Sequence, residues 1–144
     1  MLITLAQLIA QVESSGNNYA VRYEPNWTYT TPDDIFAAVV AHACDQATAR
    51  VLMSCSWGAY QIMGSVLYDL SPKPVSLNLL RDYLPNPQLQ FKYFNHFNQK
   101  FCGDAALLDI EDRTAKGLAF CERYNGDGPA YMERCQQVLR QHNG

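Results

Sequence analysis

The sequence has few charges and no run of like charge. Asp, Glu, Lys and Arg make up 17% of its 144 residues, the formal net charge is −3, and the basic residues are scattered singly. Nucleic-acid-binding proteins usually cluster their Lys and Arg residues on one surface, so this pattern argues against a nucleic-acid partner. The apolar content of 48% is typical of a folded globular protein and not of a disordered chain.

Long hydrophobic runs are also missing. No stretch reaches the roughly 20 apolar residues that a transmembrane helix requires, so we expect no stable insertion into a membrane. The N-terminal sequence MLITLAQLIA is apolar, but Thr4 and Gln7 interrupt it. It also has no basic segment before the apolar run and no small-residue cleavage site after it. We therefore expect a protein that is made in the cytoplasm without a signal peptide.

Cysteine spacing excludes the common metal and disulfide frameworks. The five cysteines form no C-x-x-C pair, have no zinc-ligand spacing with the three histidines, and are odd in number. Their apolar helical surroundings predict buried, reduced thiols in a chain that folds in a reducing compartment. We expect no metal and no cofactor. The cysteines are Cys44, Cys55, Cys102, Cys121 and Cys135.

Helical periodicity dominates what remains. A Thr4-capped helix is predicted to end at Ser15-Gly16, and others start at Thr31-Pro32 and Asn86-Pro87. The helix from Thr31 is predicted to continue to Ala47, and the helix from Asn86 to end near Gly103, with a buried stripe of Phe91, Phe94, Phe97 and Phe101. Two more are predicted over 109–124 and 129–142, while 56–70 reads as a loop followed by a helix, and strands are expected only within 19–29. We predict a single, mainly α domain over residues 1–144, with at most a small β element.

The catalytic signatures of many enzyme classes are absent, which leaves the carboxylates as candidates. There is no P-loop, G-x-G-x-x-G, H-E-x-x-H or G-x-S-x-G motif. Among the acids, Glu13 is unusual because it lies in the last turn of the first predicted helix, where the helix dipole disfavours an anion. It is either an exposed surface acid or an acid that is kept protonated for catalysis.

Two further segments combine aromatic and amide side chains. The segment SWGAYQIMG covers 56–64, and RYNGDG covers 123–128 and ends a predicted helix. Aromatic faces stack on sugar rings, and amides hydrogen-bond their hydroxyl and acetamido groups. These segments favour a groove for a polysaccharide.

With these segments in place, the chain resembles the soluble lytic transglycosylases, and in particular their phage-encoded members. ESSGNNYAV at 13–21 is similar to the family's catalytic-glutamate motif E-S-x-x-N-P-x-A. SWGAYQIMG resembles the family's G-L-M-Q-I-M segment, and RYNGDG resembles A-Y-N-A-G, in the same order along the chain. The resemblance implies a lysozyme-like fold of the goose-type kind, a monomer, and cleavage of peptidoglycan between N-acetylmuramic acid and N-acetylglucosamine. It further implies action on the cell wall in the periplasm, after release at lysis or as part of a virion.

The resemblance also implies a site. Glu13 matches the catalytic acid, and Gln61 and Met63 match residues that line the glycan groove. Tyr124 matches the tyrosine beside the catalytic carboxyl, with Asn125 next to it. By their places in or near these motifs, we expect Glu24, Tyr60 and Asn125 to contact the substrate as well. The sequence departs from the family pattern at three positions, with Asn18 in place of proline, Arg22 in place of serine and Tyr60 in place of methionine. It also has a long segment, residues 23–54, between the first two motifs.

The reaction itself has two versions. A transglycosylase needs only Glu13, because the 6-hydroxyl of the muramic acid is the nucleophile. A hydrolytic muramidase of the inverting type needs a second carboxyl about 6.5–9.5 Å away, for which Glu24 is the first candidate, ahead of Asp33, Asp34 and Asp45. Glu24 is alternatively a structural partner of Arg22 or Arg50. An inactive glycan-binding or virion structural module is a third reading, and a helical adaptor unrelated to cell walls is a fourth.

Overall fold

A computed structural model describes residues 3–27 and 29–144, and this part of the chain is mainly α-helical, as predicted. The helices and strands in chain order are α1 (Leu5–Ser14), β1 (Val21–Tyr23), α2 (Pro32–His42), α3 (Gln46–Met53), β2 (Cys55–Trp57), β3 (Ile62–Met63), α4 (Gly64–Leu70), α5 (Leu79–Tyr83), α6 (Pro87–Phe101), α7 (Leu107–Glu111), α8 (Ala115–Asn125) and α9 (Gly128–Asn143).

Helix α1 begins and ends as its sequence predicts. The Thr4 hydroxyl accepts a hydrogen bond from the Gln7 N–H, and the Gln7 side chain accepts one from the Thr4 N–H, so the two form a capping box. Ser15 then adopts a left-handed conformation with φ of 55°, which ends the helix. Leu8 and Ile9 are fully buried. Glu13 therefore lies in the last helical turn, next to the core.

The three strands form a small antiparallel sheet in the order β1-β2-β3. Val21 pairs with Trp57, and Ser56 pairs with Met63. β1 lies in the segment where strands were expected, but the prediction of loop followed by helix for 56–70 missed β2 and β3. The reason is that β2 is buried at all three positions, so it lacks the alternation that marks a strand with one exposed face.

Two predicted helices are each divided into two. The helix that starts at Thr31 ends at His42 and not at Ala47, because Ala43 turns left-handed with φ of 49°; α3 then follows. The predicted helix over 109–124 breaks at Arg113, with φ of 53°, and Thr114 caps α8. The break brings α8 against α7, where an added Cβ on Gly117 would lie 2.1 Å from the Asp109 carbonyl oxygen.

The core lies between α1, α4, α6, α8 and α9. Phe94 is almost fully buried and Phe97 is 9% exposed, but Phe91 is 47% exposed, so the prediction of a buried phenylalanine stripe was wrong at this position. At 3.6 residues per turn, Phe91 points about 90° away from the mean direction of the other three rings. Because a spacing of three residues is shorter than one helical turn, rings repeated at this spacing point in progressively different directions. Phe91 therefore points away from the core.

The five cysteines are free thiols, as predicted, and all but the partly exposed Cys44 are buried. Within residues 3–27 and 29–144, no single helix is long and apolar enough to cross a membrane. Helices α2 and α3 reach that length and composition only together, with a bend of 109° between them.

Candidate active site

A groove of about 870 Å³ runs between the segment after β1, the sheet and helices α4, α6 and α8. Its amide groups come from Gln61 and Asn125, and Arg123 adds a guanidinium. Apolar and aromatic side chains contribute most of the remaining wall. The aromatic residues are Trp27, Tyr29, Phe97, Phe101 and Tyr124. Flat rings beside amides form the kind of surface that binds sugar rings.

Five of the residues named as candidates line this groove, namely Asp34, Gln61, Met63, Tyr124 and Asn125. The Asp34 carboxylate accepts a hydrogen bond from the Thr31 N–H at the start of α2. Glu13, Glu24 and Tyr60 are not among its lining residues. Burial is the main cause that raises the pKa of the Tyr124 hydroxyl, and the nearby Tyr131 hydroxyl and Glu13 carboxylate raise it further, so Glu13 lies close to this wall of the groove.

The Glu13 side chain is half-buried, so its carboxyl group has lost part of its contact with water. Burial raises its pKa above the ordinary value, and nearby Arg134 and Arg22 lower it again in part. The Tyr131 hydroxyl also lowers the Glu13 pKa, whereas the Glu24 carboxylate raises it. The net direction is upward, so Glu13 holds its proton to a higher pH than a solvated glutamate does.

Hydrogen bonds join the end of α1 to the sheet. The Ser14 hydroxyl lies 2.8 Å from the Ala59 carbonyl oxygen, and the Gly58 N–H donates to the Ala20 carbonyl oxygen at 2.7 Å. These contacts fix the turn between β2 and β3 next to Glu13. Ser14 is the serine of the segment that resembles the family motif, and its place in the structure gives it an anchoring role.

Gln90 of α6 holds the same turn from the other side, and sequence reasoning missed it. Its side-chain oxygen accepts from the Ala59 N–H at 2.8 Å. Its amide nitrogen lies within hydrogen-bond distance of the carbonyl oxygens of Asn18, Tyr83 and Leu84, at 2.9, 3.1 and 3.0 Å. Gln90 is completely buried. One side chain thus joins α6, the end of α5, the segment after α1 and the β2–β3 turn.

Gln61 has a left-handed backbone with φ of 52° and a fully engaged side-chain amide. Its Nε2 donates to the carbonyl oxygens of Gly58 and Ala20, at 2.9 and 3.1 Å. Its Oε1 accepts from the Ser56 hydroxyl at 2.6 Å and from Arg22 Nη2 at 3.3 Å. The structure therefore gives Gln61 a role in shaping the groove wall.

Tyr60 and Tyr124 are connected through the backbone. The Tyr124 hydroxyl donates to the Tyr60 carbonyl oxygen. The Tyr60 ring is buried and stacks on Phe94 with 4.8 Å between ring centroids, so its side chain lies in the core and not in the groove.

Glu24 forms an ion pair with Arg22, with 3.3 Å between Oε1 and Nε. Both side chains are largely exposed, at 41% and 60% respectively. The structure therefore places Glu24 in the structural partnership with Arg22 that the sequence left open, while its charge still reaches Glu13.

Three contributions were not predicted. Tyr131 and Arg134 of α9 act on the Glu13 carboxyl, and Trp27 lines the groove. Trp27 carried a usable signal, since an aromatic residue in a segment rich in Tyr suits a sugar-binding surface. Tyr131 and Arg134 carried none, because only the packing of α9 against α1 brings them to Glu13.

No group of three or more His, Cys, Asp or Glu residues in the described ranges is arranged to hold a metal ion. The chemistry that the site offers is that of one desolvated carboxyl group next to a groove with aromatic and amide walls. Such a group can donate a proton and, once ionised, accept one.

Comparison with known proteins gives one partial relative. No protein-family model matches the chain, and no solved structure matches it. An endolysin of Enterobacteria phage PRD1 is 40% identical to the chain over 78 residues, which covers 47% of this chain and 50% of the endolysin. The chain thus spans about half the length of the curated relative that it matches, and over that half it is similar to a phage endolysin.

Proposed function

We propose that this protein is a phage peptidoglycan-degrading enzyme with a lysozyme-like fold and that Glu13 is its catalytic acid. The observation that carries the proposal is the half-buried Glu13 carboxyl, which lies close enough to act on Tyr124 in the wall of an aromatic, amide-lined groove. The similarity to a phage endolysin supports the same activity and substrate. The substrate is the glycan strand of peptidoglycan, cut between N-acetylmuramic acid and N-acetylglucosamine.

The first step is proton donation. Cleavage of a glycosidic bond requires a proton on the leaving oxygen, so the acid must be protonated when the substrate binds. Burial raises the pKa of Glu13 and provides that state. Lysozyme keeps its acidic glutamate protonated in the same way, by placing the carboxyl in a hydrophobic pocket.

For the second step we favour the transglycosylase reaction, in which the nucleophile belongs to the substrate. The ionised Glu13 takes the proton of the muramic acid 6-hydroxyl, whose oxygen bonds to C1 and closes a 1,6-anhydro ring. An inverting hydrolase would instead need a second carboxylate free to activate water. Glu24, the first candidate for that carboxylate, is paired with Arg22. This pairing supports the one-carboxylate reaction as the main proposal, with a hydrolytic muramidase as the alternative.

The groove supplies the binding surface in this proposal. Tyr124 and Asn125 lie on one wall, and Gln61 and Met63 lie on another. We propose that Tyr60 contributes through its backbone carbonyl, which fixes the Tyr124 hydroxyl. The proposed protein works as a monomer on the cell wall, without a metal, a nucleic-acid partner or insertion into the membrane.

The test combines lysis with product analysis. Wild type, Glu13→Gln and the control Glu111→Gln, an exposed acid on α7, are added to permeabilised Gram-negative cells. We expect lysis by the wild type and Glu111→Gln and a loss of at least about a thousand-fold in rate for Glu13→Gln. Equal lysis by all three removes Glu13 from the mechanism.

Mass spectrometry of the digested wall separates the two reactions. Ends of 1,6-anhydro-muramic acid support the transglycosylase, whereas reducing muramic acid ends support the muramidase. If none of the three proteins causes lysis but each binds purified sacculi, the chain is an inactive binding module.

A further inference from the structure

Tyr131 of α9 has a buried hydroxyl group with no hydrogen bond of normal geometry to any described residue. Its side chain is completely buried. The ring stacks on Tyr124 with 5.9 Å between centroids, and the Arg134 guanidinium lies 4.9 Å from its centre. The ring is therefore held by its neighbours, while the hydroxyl is left with unused hydrogen-bonding capacity.

A buried hydroxyl without a partner costs folding free energy, and native proteins contain few of them. Such a group is favourable when a partner is present in another state of the molecule. The group beside it that changes state is Glu13, since α1 packs directly on α9 and the Tyr131 hydroxyl acts on the Glu13 carboxyl.

We infer that Tyr131 is a positioning residue, whose hydroxyl donates a hydrogen bond to the Glu13 carboxylate after Glu13 has given its proton to the substrate. This role rests on the proposed function of Glu13. No proton is transferred from Tyr131. The hydrogen bond holds the carboxylate in one orientation while it waits for the proton of the incoming hydroxyl.

Tyr124, the tyrosine that resemblance places near the acid, is not available for this role. Its hydroxyl already donates to the Tyr60 carbonyl oxygen. Its ring forms the support on which Tyr131 stacks. The Tyr124 hydroxyl therefore fixes the groove wall, whereas the Tyr131 hydroxyl is the one that acts on the Glu13 carboxyl.

Other charged and titratable groups also face this pair and must be held constant in a test. Around Glu13 they are Arg134 from α9, Arg22 from β1 and Glu24 after it. Around Tyr131 they are Arg134 again and the thiols of Cys121 and Cys135. Removing only the Tyr131 hydroxyl leaves all of these groups in place.

The matched control is Tyr83→Phe. Tyr83 is also completely buried with a hydroxyl that lacks a partner among the described residues, but it lies on α5 against Tyr93. Tyr83→Phe therefore makes the same chemical change in the same kind of environment, at a hydroxyl that is not among the groups shifting the Glu13 pKa. Near-ultraviolet circular dichroism of both variants checks that the aromatic packing is retained.

The direct measurement is the titration of the Glu13 carboxyl carbon by carbon-13 NMR. Tyr131→Phe removes a donor to the anion, so the Glu13 pKa should rise, whereas Tyr83→Phe should leave it where it is in the wild type. An unchanged Glu13 pKa in Tyr131→Phe overturns the inference. An equal rise in both variants does so too, because it would reflect a general loss of packing.

Kinetics on soluble glycan fragments give the second readout. In Tyr131→Phe the alkaline limb of the kcat/KM profile should move to higher pH with the Glu13 pKa, and kcat at the optimum should fall about ten-fold. A fall in kcat without a shift of the limb overturns the positioning role. If the wild type cleaves no substrate but the Glu13 pKa is still higher in Tyr131→Phe than in the wild type, the proposed function fails while the hydrogen bond between Tyr131 and Glu13 is supported.

Discussion

The strongest test of the structural reasoning is Gln90→Met, which replaces a buried amide by an apolar side chain of similar length. The change leaves the Ala59 N–H without its acceptor at 2.8 Å. It also removes both hydrogens that serve the carbonyl oxygens of Asn18, Tyr83 and Leu84. The space is filled by carbon and sulfur, so the loss is one of polar pairing and not of volume.

The expected loss in the free energy of unfolding follows from the groups that lose their hydrogen bonds. An unpaired buried N–H costs about 1–3 kcal/mol, and each of the two hydrogen bonds lost from Nε2 contributes about 0.5–1.5 kcal/mol. We expect the free energy of unfolding to fall by about 3–5 kcal/mol, a large fraction of the stability of an ordinary domain. Urea unfolding followed by far-ultraviolet circular dichroism measures this change.

Gln88→Met is the control for this experiment. Gln88 lies on the same helix, α6, but is exposed, so its substitution should change stability by no more than about 0.5 kcal/mol. A loss smaller than about 1 kcal/mol for Gln90→Met would contradict this prediction, because it would mean that water or rearrangement satisfies the freed groups.

Three further predictions concern Glu13, Gly117 and the thiols. Glu13→Gln should be more stable than the wild type at neutral pH, because burial raises the Glu13 pKa and ionisation of the carboxyl in the folded protein then costs stability. Thermal unfolding should show that this difference in stability disappears as the pH falls below 4.5, the ordinary pKa of a glutamate. Gly117→Ala should cost about 1–3 kcal/mol in urea unfolding, since its Cβ would lie 2.1 Å from the Asp109 carbonyl oxygen, and a neutral result would contradict the close approach of α7 and α8. Titration with a thiol reagent should find five free thiols in denaturant, but rapid reaction in the native protein only at the partly exposed Cys44.

The sequence predicted the helix starts well because their signals are local. Thr4, Thr31 and Asn86 cap their helices through contacts with residues three positions along the chain. The internal breaks at Ala43 and Arg113 were missed, since neither alanine nor arginine is a usual residue in the left-handed conformation. Strand β2 was missed because burial at all three positions removes its alternation, and β3 was missed because two residues are too few to show one.

In the candidate site, too, features that are local in the sequence were predictable and contacts between distant segments were not. Glu13 was identifiable because its position at a helix end is visible in the sequence, and the upward direction of its pKa agrees with the role that was predicted for it. Gln90 and Tyr131 were not identifiable, because each acts on a segment far away in the chain. Resemblance assigned Tyr60 to the groove by its place in a motif, but its ring packs on Phe94 in the core.

The packing of α1 against α9 has a consequence for how the surroundings of Glu13 are assembled. Glu13 is synthesised long before Tyr131 and Arg134, which lie near the other end of the described chain. Contacts of such wide sequence separation close late in folding, after most loop entropy has been lost. A growing chain can therefore form α1 early, but the α9 side chains that act on the Glu13 carboxyl reach it only when α9 arrives. Tyr131 and Arg134 can act on the Glu13 pKa only when these two helices have met.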